Sequence, residues 1–222
     1  MPLSEKARKM KGTRFDTNST PLRGGDDGYI GRVLEDSLGV SENNRPGMDC
    51  PEEEVELKTK KKNSSAKTSL FSMEPAWGAN KTIPDLKSAI EILGKTEHGT
   101  TRLNSQVSTN QTNNLGLKMV VERKLVHLTY KGEPICSWNL DTLLQRAEEK
   151  LRNLLLAKHD QKTWTDIEEY TGFKEWRFVE LLKSGDVVVE FRAKRNPNKN
   201  RGTCFRMNSK HIHELYETVK YS

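Results

Sequence analysis

At 222 residues the chain has room for one ordinary domain or two lobes around a shared core, and a hydrophobic share of 33 % predicts a modest core under a large polar surface. Thirty-seven Lys and Arg against 31 Asp and Glu leave a net charge of +6, which favours a polyanionic partner without identifying one. No apolar run approaches the ~20 residues that cross a bilayer, the start of the chain lacks a signal-peptide core, and Cys50, Cys136 and Cys204 suit neither a disulfide framework nor a zinc site, so a soluble protein of a reducing cytoplasm is expected.

In chain order, residues 1–23 carry Lys6, Arg8, Lys9, Lys11 and Arg14 without an apolar period and are expected to form a loose basic arm with at most one short helical piece. Asp26 or Asp27 then caps a helix in which Ile30, Val33, Leu34 and Leu38 recur at helical spacing before Gly39. Residues 54–59 alternate strictly, so as a strand they turn Val55 and Leu57 inward and Glu56 and Lys58 to the opposite face. A strand over 68–73 and a helix over 84–93 follow, and the polar stretch 94–114 is expected to be a loop. Residues 117–122 and 125–131 read as a hairpin and 135–138 as a further strand. The stripe Leu143, Leu144, Ala147, Leu151, Leu154 and Leu155 predicts a helix over 141–158. A helix over 173–183, a strand over 186–192 pairing with 203–207, and a closing helix over 209–221 complete a mixed α/β (α+β) fold with a central sheet.

Charge is concentrated as well as abundant. The stretch from Phe191 to His213 holds seven basic residues, Arg192, Lys194, Arg195, Lys199, Arg201, Arg206 and Lys210, and no acidic one. It reads either as a solvated basic hairpin or as a two-stranded ribbon for the major groove of DNA, where arginine bonds guanine in bidentate fashion. His211 and His213, two apart on the expected helix, do not share a face and are not a metal pair. Trp138, Trp164 and Trp176 are expected in the core.

Asp49, Glu56 and Lys58 form a D-x₆-E-x-K pattern. The last two share a strand face, and the first enters from a turn after Pro46 and Gly47. Two carboxylates plus a backbone carbonyl, here that of Leu57, make the hard oxygen set that Mg²⁺ prefers, and Lys58 is placed to orient a water or to stabilise charge on a phosphate. Taken alone the pattern equally describes an exposed strand end with solvated carboxylates. Lys60, Lys61, Lys62 and Lys67 follow it at a position suited to phosphate contacts, and Glu35 stands upstream on the first apolar helix.

The runs D-D-G-Y-I-G-R-V-L-E (26–35), G-V-S-E-N-N (39–44), D-C-P-E-E-E-V-E-L-K (49–58), A-K-T-S-L-F (66–71), N-N-L-G-L (113–117), S-W-N-L (137–140) and N-R-G-T-C-F-R (200–206) resemble, in order, the MvaI/BcnI-type restriction endonucleases, with a more distant likeness to the MutH mismatch-repair nickase. The resemblance implies a PD-(D/E)xK fold of two lobes around a DNA cleft, with catalysis by Asp49, Glu56, Lys58 and Glu35 and metal at Asp49, Glu56 and the Leu57 carbonyl. It further implies a monomer that cuts double-stranded DNA at a short site beginning CC and ending GG, alongside a cognate methyltransferase. Met48 departs from the motif's proline, and the Asp49 to Glu56 spacing is nearer that of the nickase. On this reading 24–116 is the catalytic lobe and 117–222 the recognition lobe, with Arg201 and Arg206 as first candidates for reading guanine. A repair nickase and a non-catalytic DNA-binding protein are the alternatives.

Overall fold

A computed structural model describes residues 1–15, 28–40, 47–195 and 199–222, the last from main chain alone at 199–201. The expected caps Asp26 and Asp27, most of the 39–44 run, and the side chains of Lys199 and Arg201 lie outside the described residues. In chain order the elements are α1 (Leu3–Met10), α2 (Tyr29–Leu38), β1 (Val55–Lys61), β2 (Thr68–Ser72), β3 (Ala76–Trp77), α3 (Leu86–Leu93), β4 (Lys95–Glu97), β5 (Thr100–Val107), β6 (Leu117–Val121), β7 (Leu125–Tyr130), β8 (Glu133–Asn139), α4 (Leu140–Leu151), β9 (Asn153–His159), β10 (Trp164–Phe173), α5 (Glu175–Ser184), β11 (Val187–Lys194), β12 (Lys199–Met207), a 3-10 segment (Ser209–Leu215) and β13 (Tyr216–Tyr221). They divide into unit 1 (1–66, 148–174 and 212–222) and unit 2 (67–147 and 175–211). Both units are discontinuous in sequence, in place of the contiguous lobes expected at 24–116 and 117–222, because β9, β10 and β13 return to complete the sheet that β1 begins.

In unit 1 that sheet runs β1-β9-β10-β13, with β1 parallel to β9 and the other pairs antiparallel. A strand covered on both faces needs a continuous apolar run rather than alternation, and Leu154, Leu155, Leu156 and Ala157 supply one, all buried. The helix expected over 141–158 therefore ends at Leu151. Leu155 and Ala157 join Leu57 and Ile167 on one face, packed with Leu3, Ala7 and Met10 of α1 and Val33, Leu34 and Leu38 of α2. α1 is the short helical piece allowed for in the basic arm, and it is packed rather than loose. Its apolar face is buried, Glu53 accepts from the Leu3 amide at 3.1 and 3.0 Å, and Arg8 pairs with Glu169 at 2.6 Å. Gly39 ends α2 at φ 74, the left-handed conformation glycine adopts at least cost, and its amide donates to the carbonyls of Asp36 and Glu35.

β13 and the 3-10 segment stand where a single closing helix was expected. Apolar spacing at Ile212, Leu215 and Tyr216 fits a helix for too few residues to settle the matter, and pairing of β13 with β10 decides it.

Unit 2 contains a five-stranded antiparallel sheet, β2-β12-β11-β5-β4, and a meander ordered β3-β8-β7-β6. β4 and β5 replace the loop expected over 94–114. In β5, Leu103, Ser105 and Val107 point inward while Arg102, Asn104 and Gln106 are exposed. Its period of two is real, but a buried serine and flanking threonines hide it from an apolar count. The core of the unit gathers Phe71, Phe205, Phe178 and Trp138, whose indole donates to the Met73 carbonyl at 3.0 Å. Trp164 is buried in unit 1, whereas Trp176, also expected in the core, is 60 % exposed.

One buried titratable side chain makes folding pH-dependent. His159 lies against the rings of Phe15 and Trp164, and its Nδ1 accepts from the Gln161 amide at 3.2 Å. Burial, only partly opposed by Asp160, holds its pKa below the ordinary 6.5. A depressed folded value means that the neutral ring contributes stability above 6.5, and this contribution is lost as pH falls through the folded value. The urea midpoint of the parent is expected to drop between about pH 7.5 and 5.5 by more than that of His159→Gln. Equal losses in the two proteins would remove His159 from the account.

Candidate active site

The site begins with a tight hairpin. Cys50 and Val55 exchange both backbone hydrogen bonds, at 3.0 and 3.1 Å, across the turn 51–54, in which Glu54 takes the left-handed conformation at φ 54. One residue further along an antiparallel pair, side chains again face the same way. The hairpin thus turns Asp49 towards Glu56, and Asp49 Oδ2 accepts from the Leu57 amide at 2.9 Å.

Glu56 is only 5 % exposed and carries two ammonium partners, Lys58 Nζ on Oε1 at 3.0 Å and Lys150 Nζ on Oε2 at 2.8 Å. Burial first, and then the Glu56 charge, hold the Asp49 carboxyl above its ordinary range despite the Leu57 amide and the two lysines. The neighbouring Cys50 thiol is pushed up to about 11, by burial and then by Asp49, with Glu53, Glu35 and Glu56 contributing. Glu35, expected as an upstream participant, is therefore near enough for its charge to act on Cys50. Among the described residues no three His, Cys, Asp or Glu side chains form a metal-ligand group. The fit to a divalent cation rests instead on two carboxylates, of which Glu56 raises the cost of ionising Asp49, with the Leu57 main chain between them, a hard-oxygen set that a dication would relieve.

The same face of the sheet carries a second polar group. Register places Lys58, Leu156 and Glu168 in one row. Glu168, buried, accepts from Tyr170 Oη at 2.6 Å and pairs with Lys158. Burial first, then the bond to Glu168, raises the Tyr170 pKa. Sequence reading missed this cluster and Lys150 alike. Lys150 stands 94 residues from Glu56, in the last turn of α4, where a basic side chain is ordinary.

The basic residues separate by environment. Lys60 is 8 % exposed and donates to the Ala66 carbonyl, so burial removes it from the expected phosphate contacts. Lys61 is exposed, Lys62 stands 3.6 Å from Asp166, and Lys67 donates to Gln106 at 3.1 Å. Arg195 pairs with Glu91 at 2.7 Å. Arg206 is tied to Glu190 and to the Lys67 carbonyl, and Arg192 Nε lies 3.2 Å from the same Glu190. A groove of about 520 Å³ in unit 2 is bordered by Arg102, Asn104, Gln106, Glu190, Arg192 and Lys194. It is separate in sequence from Asp49, Glu56 and Lys58, which belong to unit 1.

A mixed α+β chain presenting this motif on one sheet face has the fold of the PD-(D/E)xK nucleases. The sequence profile of the MvaI/BcnI restriction endonuclease family matches residues 5–216, and the chain belongs to that family. It is by membership a site-specific deoxyribonuclease. Among solved structures it is similar to one titled restriction endonuclease MvaI-cognate DNA substrate complex, at 19 % identity and a TM-score of 0.74 over 99 % of this chain and 96 % of that one. A structure titled restriction endonuclease MvaI in the absence of DNA aligns at 17 % identity and a TM-score of 0.52, over 99 % and 95 %. Curated protein sequences give no match. No helix among the described residues is long and apolar enough to cross a membrane.

Proposed function

We infer that the chain hydrolyses phosphodiester bonds in double-stranded DNA at a short CC…GG-type site, as a cytoplasmic monomer, with Mg²⁺ held by Asp49, Glu56 and the Leu57 carbonyl. The observation that carries this reading is the hairpin that turns Asp49 towards a Glu56 already bonded to Lys58. A bound divalent ion supplies Lewis acidity at the phosphate and lowers the pKa of the attacking water. Asp49 and Glu56 bind and orient, and the Lys58 ammonium steers water and stabilises developing negative charge. Glu35 acts at longer range through its field. A methyltransferase of matching specificity is the functional partner.

Recognition of bases is assigned to the polar face of β5 and β11. Exposed amides and guanidinium groups match the edges of adenine and guanine, and here they stand in register, with Gln106 opposite Glu190, Asn104 opposite Arg192 and Arg102 opposite Lys194. Glu190 holds Gln106 Nε2 at 3.1 Å and one Arg206 nitrogen, which fixes these planar groups before DNA arrives. Lys61, Lys62 and Lys67, together with Lys194, Arg195, Lys199 and Arg201, supply phosphate contacts.

Supercoiled plasmid incubated with the protein and Mg²⁺ is expected to yield discrete fragments, and EDTA to abolish them. Ragged degradation would remove sequence specificity, and a nick that never becomes a double-strand break would make the chain a nickase. Binding without any cleavage would leave a non-catalytic DNA-binding protein.

A further inference from the structure

Lys58 is explained by the motif, but the second ammonium on Glu56 is not. Lys150 Nζ donates to Glu56 Oε2 at 2.8 Å, and the two side chains are 13 % and 7 % exposed. Long lysine side chains on a surface ordinarily keep their charge in water. Bringing an ammonium this far in is unfavourable unless it is paired, and this one is brought to a carboxylate that Lys58 already serves from the other oxygen. The two ammonium groups thus bracket Glu56, one on each oxygen, and both also act on Asp49.

The pairing has a consequence when charges are counted through a reaction. Asp49, Glu56, Lys58 and Lys150 together are neutral. With a divalent ion bound the site would carry two positive charges, and the phosphorane formed when a water that has given up one proton to solvent adds to a phosphodiester carries two negative ones. Without Lys150 the same assembly would be left with a net negative charge at the point of highest energy, in surroundings that screen it poorly. The geometry also divides the work on Glu56: Lys58 holds Oε1 and Lys150 holds Oε2, so the carboxylate plane is fixed from both sides and stays within reach of Asp49.

We propose that Lys150 is a second active-site lysine, a positioning residue that fixes the outer oxygen of Glu56 and supplies the positive charge needed to match the doubly negative phosphorane. Its substrate is the DNA phosphodiester of the reading above, on which this assignment rests. In the reaction the water oxygen bonds to phosphorus as the bond from phosphorus to the leaving deoxyribose oxygen breaks, and the proton that water releases is balanced by one the leaving oxygen takes from solvent.

The test uses the full chain with enzyme in excess over supercoiled plasmid. DNA affinity is measured separately, by gel retardation of the same plasmid's fragments with Ca²⁺ in place of Mg²⁺. Lys150→Met is expected to slow cleavage at saturating Mg²⁺ by about 10²-fold, with affinity within about threefold of the parent. Lys150→Arg, which keeps the charge and the reach, is expected to restore most of the rate. A purely structural lysine would shift the melting temperature and leave the rate intact wherever the variant is folded. Should Lys150→Met fail to fold, Lys150→Gln and Lys150→Arg form the comparison, and equal rates from those two overturn the proposal. So does cleavage by folded Lys150→Met at the parental rate. If the parent itself does not cut with Mg²⁺, the nuclease reading fails first, and that failure is visible before any variant is made.

Discussion

Glu56→Gln is expected to slow DNA cleavage by about 10³-fold, equivalent to roughly 4 kcal/mol of transition-state stabilisation, while DNA binding stays near the parental level. Glutamine keeps the shape of the side chain but removes the negative charge that faces Asp49 and binds both Lys58 and Lys150. A neutral amide is a poor ligand for a hard dication, and its nitrogen cannot accept from either ammonium. The loss should therefore appear in the rate at saturating metal and DNA. On the proposed reading, affinity rests on the basic and amide side chains of unit 2 and on Lys61 and Lys62, none of which the Glu56 side chain is bonded to. Near-parental cleavage by Glu56→Gln would mean that chemistry occurs elsewhere, and a joint loss of binding and cleavage would point to damage of the β1 face rather than to catalysis.

Phe205→Ala is expected to cost about 3–5 kcal/mol of folding stability. Phe205 is fully buried, stacks on Phe71 with ring centroids 5.1 Å apart, meets Trp138 edge-on at 5.4 Å and reaches Phe178 at 6.5 Å. Truncation leaves a cavity bounded by three large rings on two strands and a helix, which cannot all close in without breaking the β12 ladder with β11 and β2. Against a total of about 5–15 kcal/mol for an ordinary domain, such a loss is a large fraction. A fall in the urea midpoint with an unchanged slope is the signature. Trp176→Ala, at a position 60 % exposed, is expected to change stability by no more than about 0.5 kcal/mol. A cost below about 1 kcal/mol for Phe205→Ala would show that these rings are not the centre of the unit 2 core.

The features legible from the residues alone were local and periodic. Strict alternation over residues 54–59 defined the strand that presents Glu56 and Lys58 together, the apolar stripe ending at Gly39 defined α2, and the ordered motif runs led to the family that the profile match establishes. These features survive because each depends on neighbours within a few residues, where backbone geometry alone fixes which side chains share a face.

Packing between segments distant in the chain set the remaining placements. Leu154 and Leu155 continue the α4 stripe as well as any helix would, yet the parallel pairing with β1 claims them for a strand covered on both faces. β5 was hidden because its inward positions include Ser105, whose burial depends on β11. Lys60 reads as one more phosphate-seeking lysine until its burial and its bond to Ala66 are known. Lys150 has no motif at all. Its place beside Glu56 is created by a return of the chain 94 residues later, and an interaction between residues that far apart leaves no period in the sequence to read, because long-range packing energy, rather than local propensity, selects it.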